Sequence, residues 1–226
     1  MTQIDAARAG ICTPEMKAVA AKEYKTPEEI RDAVAKGIIA IPANINHTTL
    51  DPEGVGEGLR TKVNVNLGIS GDLMDEEMEL EKARIALELG AEGIMDLSNH
   101  GKTREFRRKL LAMSSAMIGT VPMYDAIGYL EKPLIGITAQ DFLDVVRAHA
   151  EDGVDFVTVH AGMNRRVIES FKETGRLMNI VSRGGSLIFA WMEATGNENP
   201  FYEHYDEVLE ILHEYDVTIS IGDAMR

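Results

Sequence analysis

The sequence predicts an α/β protein built on a parallel sheet, and three observations carry that expectation. From residue 62 onward, short apolar runs alternate with helix-patterned stretches. The apolar runs are near-continuous rather than alternating, as in strands covered by helices on at least one face. Turn residues bound each of them. Composition agrees, since 226 residues with 45% hydrophobic content suit one globular domain.

Residues 1–60 read as an N-terminal helical extension with a short strand. A first helix ends at Gly10. Thr13-Pro14 has the form of an N-cap and first helical position, and Thr26-Pro27-Glu28-Glu29 repeats it with Glu29 placed for a capping box. Gly37 ends that helix, and the run 38–42 is a short strand closed by Pro42.

Residues 61–226 form the second unit. Strands are predicted over 62–67, 93–97, 117–121, 154–160, 178–182 and 217–223. Helical patterns occupy 76–89, 103–113, 139–151, 166–173, 187–194 and 202–215. Thr138 with Asp141 resembles a further capping box, and Gly90, Gly153 and Gly175 stop three helices. Two architectures fit this rhythm, an open doubly wound sheet and a (β/α)8 barrel. No G-x-G-x-x-G follows a first strand. A barrel needs eight strands and only six are predicted, which would leave two unpaired edges.

Composition bounds function. Thirty-seven acidic against 23 basic residues give a net charge of −14, which argues against an extended nucleic-acid footprint and leaves room for a local anion site. No basic and apolar leader opens the chain and no run has membrane-spanning length, so a soluble, cytoplasmic protein is expected. One cysteine, Cys12, allows no internal disulfide and no cysteine-only metal or iron–sulfur site.

The strongest chemical signal is Ser182-Arg183-Gly184-Gly185-Ser186, where an apolar run stops at a glycine pair before a helix. Backbone N–H groups then point into one small space suited to a phosphate. Arg183 adds a charge-assisted hydrogen bond, and Ser182 and Ser186 offer hydroxyls. The bland alternative is an ordinary tight turn. Other strand ends carry Asn64 and Asn66, Met95-Asp96-Leu97-Ser98, Pro122-Met123-Tyr124, His160-Ala161-Gly162 and Gly222-Asp223-Ala224-Met225-Arg226. If the strands line one ring, these converge on one mouth. Each has a structural alternative: His160 as a hydrogen-bonded core histidine, Met95 and Tyr124 as packing residues, Asp96 and Asp223 as helix N-caps. His47, His100, His149, His204 and His213 show no metal-ligand spacing, and the last three read as surface or helix-packing residues.

Seven segments in order resemble the signatures of the phosphomethylpyrimidine synthase (ThiC) family of thiamine biosynthesis. They are Ala7-Arg8-Ala9-Gly10-Ile11 with Thr13-Pro14-Glu15-Met16, Lys62-Val63-Asn64-Val65-Asn66-Leu67-Gly68, Met95-Asp96-Leu97-Ser98, Gly119-Thr120-Val121-Pro122-Met123-Tyr124, His160-Ala161-Gly162, Val181-Ser182-Arg183-Gly184-Gly185 and Gly222-Asp223-Ala224-Met225-Arg226. The resemblance implies a (β/α)8 barrel and a non-canonical radical S-adenosylmethionine lyase. It further implies rearrangement of 5-aminoimidazole ribotide to hydroxymethylpyrimidine phosphate, using a 4Fe-4S cluster, S-adenosylmethionine and a divalent zinc or iron. By the same resemblance, Asn66, Met95, Tyr124 and His160 hold the ribotide, Ser182, Arg183 and Gly184 its phosphate, and Asp223 and Arg226 make further contacts. Family members are homodimers. A paralogue making 5-hydroxybenzimidazole starts from the same ribotide, and the residues do not separate the two.

The family pattern continues with two more strands, a Glu-Gly-Pro-Gly-His segment, metal histidines and a Cys-x2-Cys-x4-Cys, none of them in this chain. The expectation is therefore an N-terminal portion, a partial barrel of six strands out of eight, inactive alone and without metal or cluster ligands of its own. Val65 and Ala224-Met225 stand where many members have alanine and glycine-leucine. A non-catalytic barrel fragment that binds phosphorylated ligands is the reading from a different class. An aldolase-like lyase is disfavoured because no lysine stands at a strand end.

Overall fold

Local capping rules account for the first three helices. The computed structural model describes residues 1–128 and 132–226. Thr2, Thr13 and Thr26 cap α1 (Gln3–Arg8), α2 (Pro14–Lys22) and α3 (Pro27–Ala35), with a capping box between Thr26 and Glu29 as expected. The strand predicted over 38–42 shortens to β1 (Ile39–Ala40), which pairs antiparallel with β2 (Val55–Gly56). Met16, Val19, Ile30, Val34, Ile39 and Ile41 form a small core of their own.

The larger unit runs β3 (Asn64–Leu67), α4 (Glu76–Glu88), β4 (Gly93–Asp96), α5 (Thr103–Met113), β5 (Met117–Thr120), α6 (Pro122–Gly128), α7 (Ala139–Asp152), β6 (Phe156–Val159), α8 (Arg165–Glu173), α9 (Arg183–Thr195), α10 (Pro200–Glu203), α11 (Tyr205–Tyr215) and β7 (Thr218–Ile221). The strands form one parallel sheet in the order β3-β4-β5-β6-β7. Thr138 and Asp141 make the predicted capping box on α7, and Gly153 closes it in the left-handed region at φ 107°.

Among the described residues the sheet has five strands, not the predicted six. The run 178–182 is not a strand, because the place beside β6 is taken by β7, whose Ile219 and Ile221 stand opposite Val157 and Val159. Its Val181 and Ser182 N–H groups instead reach the carbonyl of Arg226, and Met178 and Val181 are exposed. The pattern read as 187–194 starts four residues earlier, at Arg183, because Ser182 accepts the N–H of Gly185 as N-cap. The predicted helix 202–215 divides at His204 into α10 and α11. Pro122 opens an unpredicted helix, α6, at the first-turn position where proline loses no hydrogen bond. No described helix is long and apolar enough to cross a membrane.

Register sorts the sheet into two faces. Ile94 and Ile118 stand opposite each other, and Val157, opposite Thr120, lies on the same face; all three are fully buried in the same core as Phe106 and Leu110 of α5 and Phe142 and Val146 of α7. Asn66, Met95, Gly119, Phe156 and Thr218 form a row on the opposite face. His160, four residues beyond Phe156, continues that second face past the end of β6.

A single carboxylate ties the N-terminal segment to the underside of the sheet. Asp155, fully buried, accepts from Asn44 N–H at 3.1 Å, Ile118 N–H at 2.7 Å and His47 Nδ1 at 2.7 Å. The other ring nitrogen of His47 faces the Ser114 carbonyl at 3.1 Å, so both nitrogens meet acceptors. Burial works to lower the His47 pKa, but Asp155 outweighs it and the net shift is upward.

Candidate functional site

At the C-terminal end of β6, His160 is buried with its Nε2 3.3 Å from the Ser182 hydroxyl. Ser182 Oγ also accepts the Gly185 N–H at 3.2 Å, and its remaining lone pair and its proton both suit His160 Nε2, as acceptor or as donor. The other ring nitrogen, Nδ1, has no hydrogen-bond partner among the described residues. Burial holds the ring's pKa below the ordinary histidine value; Asp223 pulls it up and Arg226 pushes it further down. One buried ring nitrogen of His160 is thus left uncommitted.

The two glycines after Arg183 are required by close approach. A Cβ on Gly184 would stand 2.2 Å from His160 Cε1, and one on Gly185 would stand 1.8 Å from the Ala224 carbonyl oxygen. The N-terminus of α9 is thereby pressed between His160 and the segment after β7. The Arg183 and Gly184 N–H groups have no acceptor among the described residues, which leaves two helix-end donors beside the Arg183 side chain.

Arg183 places its guanidinium 5.6 Å from the Tyr124 ring centroid. Tyr124 is half-buried, and burial raises its phenol pKa while the charges of Arg183 and Arg226 oppose the rise. Tyr124, His160, Ser182, Arg183, Gly184, Asp223 and Arg226 are therefore within contact or electrostatic reach of one another. Asn66 and Met95 pair across β3 and β4 on the same face, toward the other edge of the sheet. Asp96 and Asp223 are not helix caps: each accepts a backbone N–H two residues ahead, from Ser98 at 2.9 Å and Met225 at 3.2 Å. A cavity of about 690 Å³ between α1, β1, α11 and β7 shares no residue with this cluster and is lined mainly by aliphatic side chains, among them Ile39, Ile41, Leu209 and Ile219.

Sequence reading missed two supports of the site. Asn199, fully buried, donates from Nδ2 to the carbonyls of His160 and Met163 at 2.8 Å each and fixes the loop after β6. Its place before Pro200 signals a helix N-cap, but nothing local announces the longer reach. The other is a buried ionic cluster behind β5. Arg107 meets Asp125 and Asp152 at 2.9 Å each, and His149 Nε2 meets Asp125 at 2.9 Å. His149 is thus a fully buried partner in an ionic network, not a surface residue. His204 and His213 are surface residues, beside Glu207 and Asp5.

The model of the radical SAM ThiC family matches residues 2–226. The chain belongs to that family. Among curated proteins, phosphomethylpyrimidine synthases are similar to this ThiC-family chain across its whole length. That of Alkaliphilus oremlandii is 62% identical over 225 residues, covering 100% of this chain and 52% of the relative. That of Alkaliphilus metalliredigens is 63% identical with the same coverage, and that of Clostridium tetani is 61% identical over 49% of its length. The ThiC-family chain thus spans about half the length of the curated relatives it matches.

Proposed function

We propose that this chain carries the ribotide-binding strand ends of a phosphomethylpyrimidine synthase, a radical S-adenosylmethionine lyase that rearranges 5-aminoimidazole ribotide to hydroxymethylpyrimidine phosphate. The convergence of Arg183, the Gly184 N–H and the unpartnered Nδ1 of His160 at one mouth is the observation that carries the reading. The names of the relatives support the pyrimidine product over the benzimidazole one. A strand order without reversal supports a barrel over a doubly wound sheet.

In this reading the ribotide phosphate sits on the N-terminus of α9, held by the Arg183 and Gly184 N–H groups and the Arg183 guanidinium, with Ser182 fixing the helix end. His160 Nδ1 is the ring nitrogen left to hydrogen-bond the ligand, and Tyr124 packs beside the phosphate-binding arginine. Arg226 adds positive charge, Asp223 balances it next to His160, and Asn66 with Met95 contacts the base from the far strands. The residues present do not fit a 4Fe-4S cluster, since Cys12 is the one cysteine, and no described group of three His, Cys, Asp or Glu side chains would hold a metal ion. The part this chain plays is binding and orientation, and the homodimer of the complete protein belongs to the same proposal.

Titration calorimetry with 5-aminoimidazole ribotide tests it. Arg183→Ala should weaken binding by roughly ten- to hundredfold, the span expected for one charge-assisted hydrogen bond. Unchanged affinity would overturn the phosphate seat.

A further inference from the structure

Tyr124 and Asp125 are neighbours in the first turn of α6, and they face different surroundings. Tyr124 lies under Arg183 at the mouth, whereas Asp125 is buried. One oxygen of Asp125, Oδ2, accepts from Arg107 Nη1 and from His149 Nε2, both at 2.9 Å. His149 Nδ1 lies 2.8 Å from the Thr120 hydroxyl.

The proton positions in this chain follow from chemistry. Burial works to raise the Asp125 pKa, but His149 and Arg107 hold it at about 2, so the carboxylate is ionised and only accepts. Burial and the Arg107 charge hold His149 at about 4, so the ring is neutral. Nε2 therefore donates to Asp125, Nδ1 accepts, and Thr120 donates to Nδ1. Arg107 of α5 and His149 of α7 fasten directly onto one carboxylate in the turn that presents Tyr124, and Thr120 at the end of β5 joins them through His149.

The order Asp125, His149, Thr120 has the form of a nucleophile triad. Thr120 excludes that role, being 2% exposed on the helix-covered face of the sheet, in register with Val157. The cluster serves the fold around Tyr124 instead.

We propose that Asp125 is a positioning residue that sets the Tyr124 ring against Arg183 and so shapes the ligand mouth from behind. The proposal rests on Tyr124 lining the ribotide site. It assigns specificity for an aromatic or planar ligand group beside the phosphate to a residue that never touches the ligand.

A double-mutant cycle on this chain, read by ribotide calorimetry, tests it. Asp125→Asn keeps the side-chain shape and removes the charge. It should weaken ribotide binding by roughly tenfold in the parent and by less than about twofold in a Tyr124→Ala background, the non-additivity expected of coupled residues. A second readout needs no ligand: in ¹³C-tyrosine-labelled protein, the Tyr124 ring signal should move on Asp125→Asn. Additive binding losses, or an unmoved Tyr124 signal in a folded variant, would overturn the proposal. If Asp125→Asn does not fold, His149→Gln is judged by the same two criteria. A parent chain that fails to bind ribotide refutes the functional reading, and the ring signal then decides the positioning role alone.

Discussion

Arg107→Met should destabilise the chain by about 3–5 kcal/mol at pH 8, because it removes one member of a buried ionic cluster and leaves its partners uncompensated. Arg107 is 2% exposed and contacts two buried carboxylates, Asp125 and Asp152. Their fates differ. Asp152 keeps Arg104 and Arg108, at 3.0 and 2.8 Å. Among the described residues Asp125 keeps only His149 as an ionisable partner, and in the parent that ring is neutral. Removing Arg107 also removes a charge that suppresses protonation of His149. The imidazole can then take a proton and pair with Asp125. A histidine whose folded pKa rises adds stability below that pKa and loses it as pH increases. The loss should accordingly be smaller at pH 5 than at pH 8. Urea unfolding at both values checks this, and equal losses would show that His149 does not rescue Asp125.

Asp96→Asn should act in the opposite direction, and only at neutral pH. Asp96 is buried at the end of β4, where burial raises its pKa to about 6 against the hydrogen bonds from Ser98 and the charge of Arg107. Below about pH 4 the carboxyl is protonated in both the folded and unfolded chain and costs nothing. Between about 4 and 6 the unfolded chain ionises first, so stability falls as pH rises. Above 6 the folded state carries the full cost, about 3 kcal/mol for a shift of about two units. Asparagine keeps the shape and can still accept the Ser98 N–H. The stability difference between Asp96→Asn and the parent should therefore grow in the variant's favour by about 3 kcal/mol from pH 4 to pH 7. A difference that stays constant with pH would mean that Asp96 titrates normally.

What the sequence made legible was local. The threonine caps at Thr13, Thr26 and Thr138 need only the next three residues to act, and all three appear as read. All five sheet strands fall within their predicted runs: β4 and β5 are buried throughout, β6 alternates, and β3 and β7 stand at the edges. The run 178–182 failed because pairing is decided by which strand reaches β6, information held forty residues away in β7. The site's residues were legible as polar groups after strands, but the resemblance rather than spacing assigned their roles. Arg107 and His149 were hidden in plain pattern. Arg107 sits beside Phe106 and between Thr103 and Leu110 on the buried stripe of α5, and His149 lies three and seven residues beyond Val146 and Phe142 on that of α7. A charged residue in an apolar position was the available signal.

The Asp155 carboxylate has a consequence for the order in which the chain folds. Its three donors come from residues 44, 47 and 118, so one of its bonds bridges neighbouring strands while the others close loops of more than a hundred residues. Such loops are slow to close, and the receiving oxygens exist in place only once β5 and β6 lie side by side. The segment around Asn44 should thus be acquired late. In native-state hydrogen exchange, its amide should open with a lower free energy than that of Ile118, which belongs to the sheet itself.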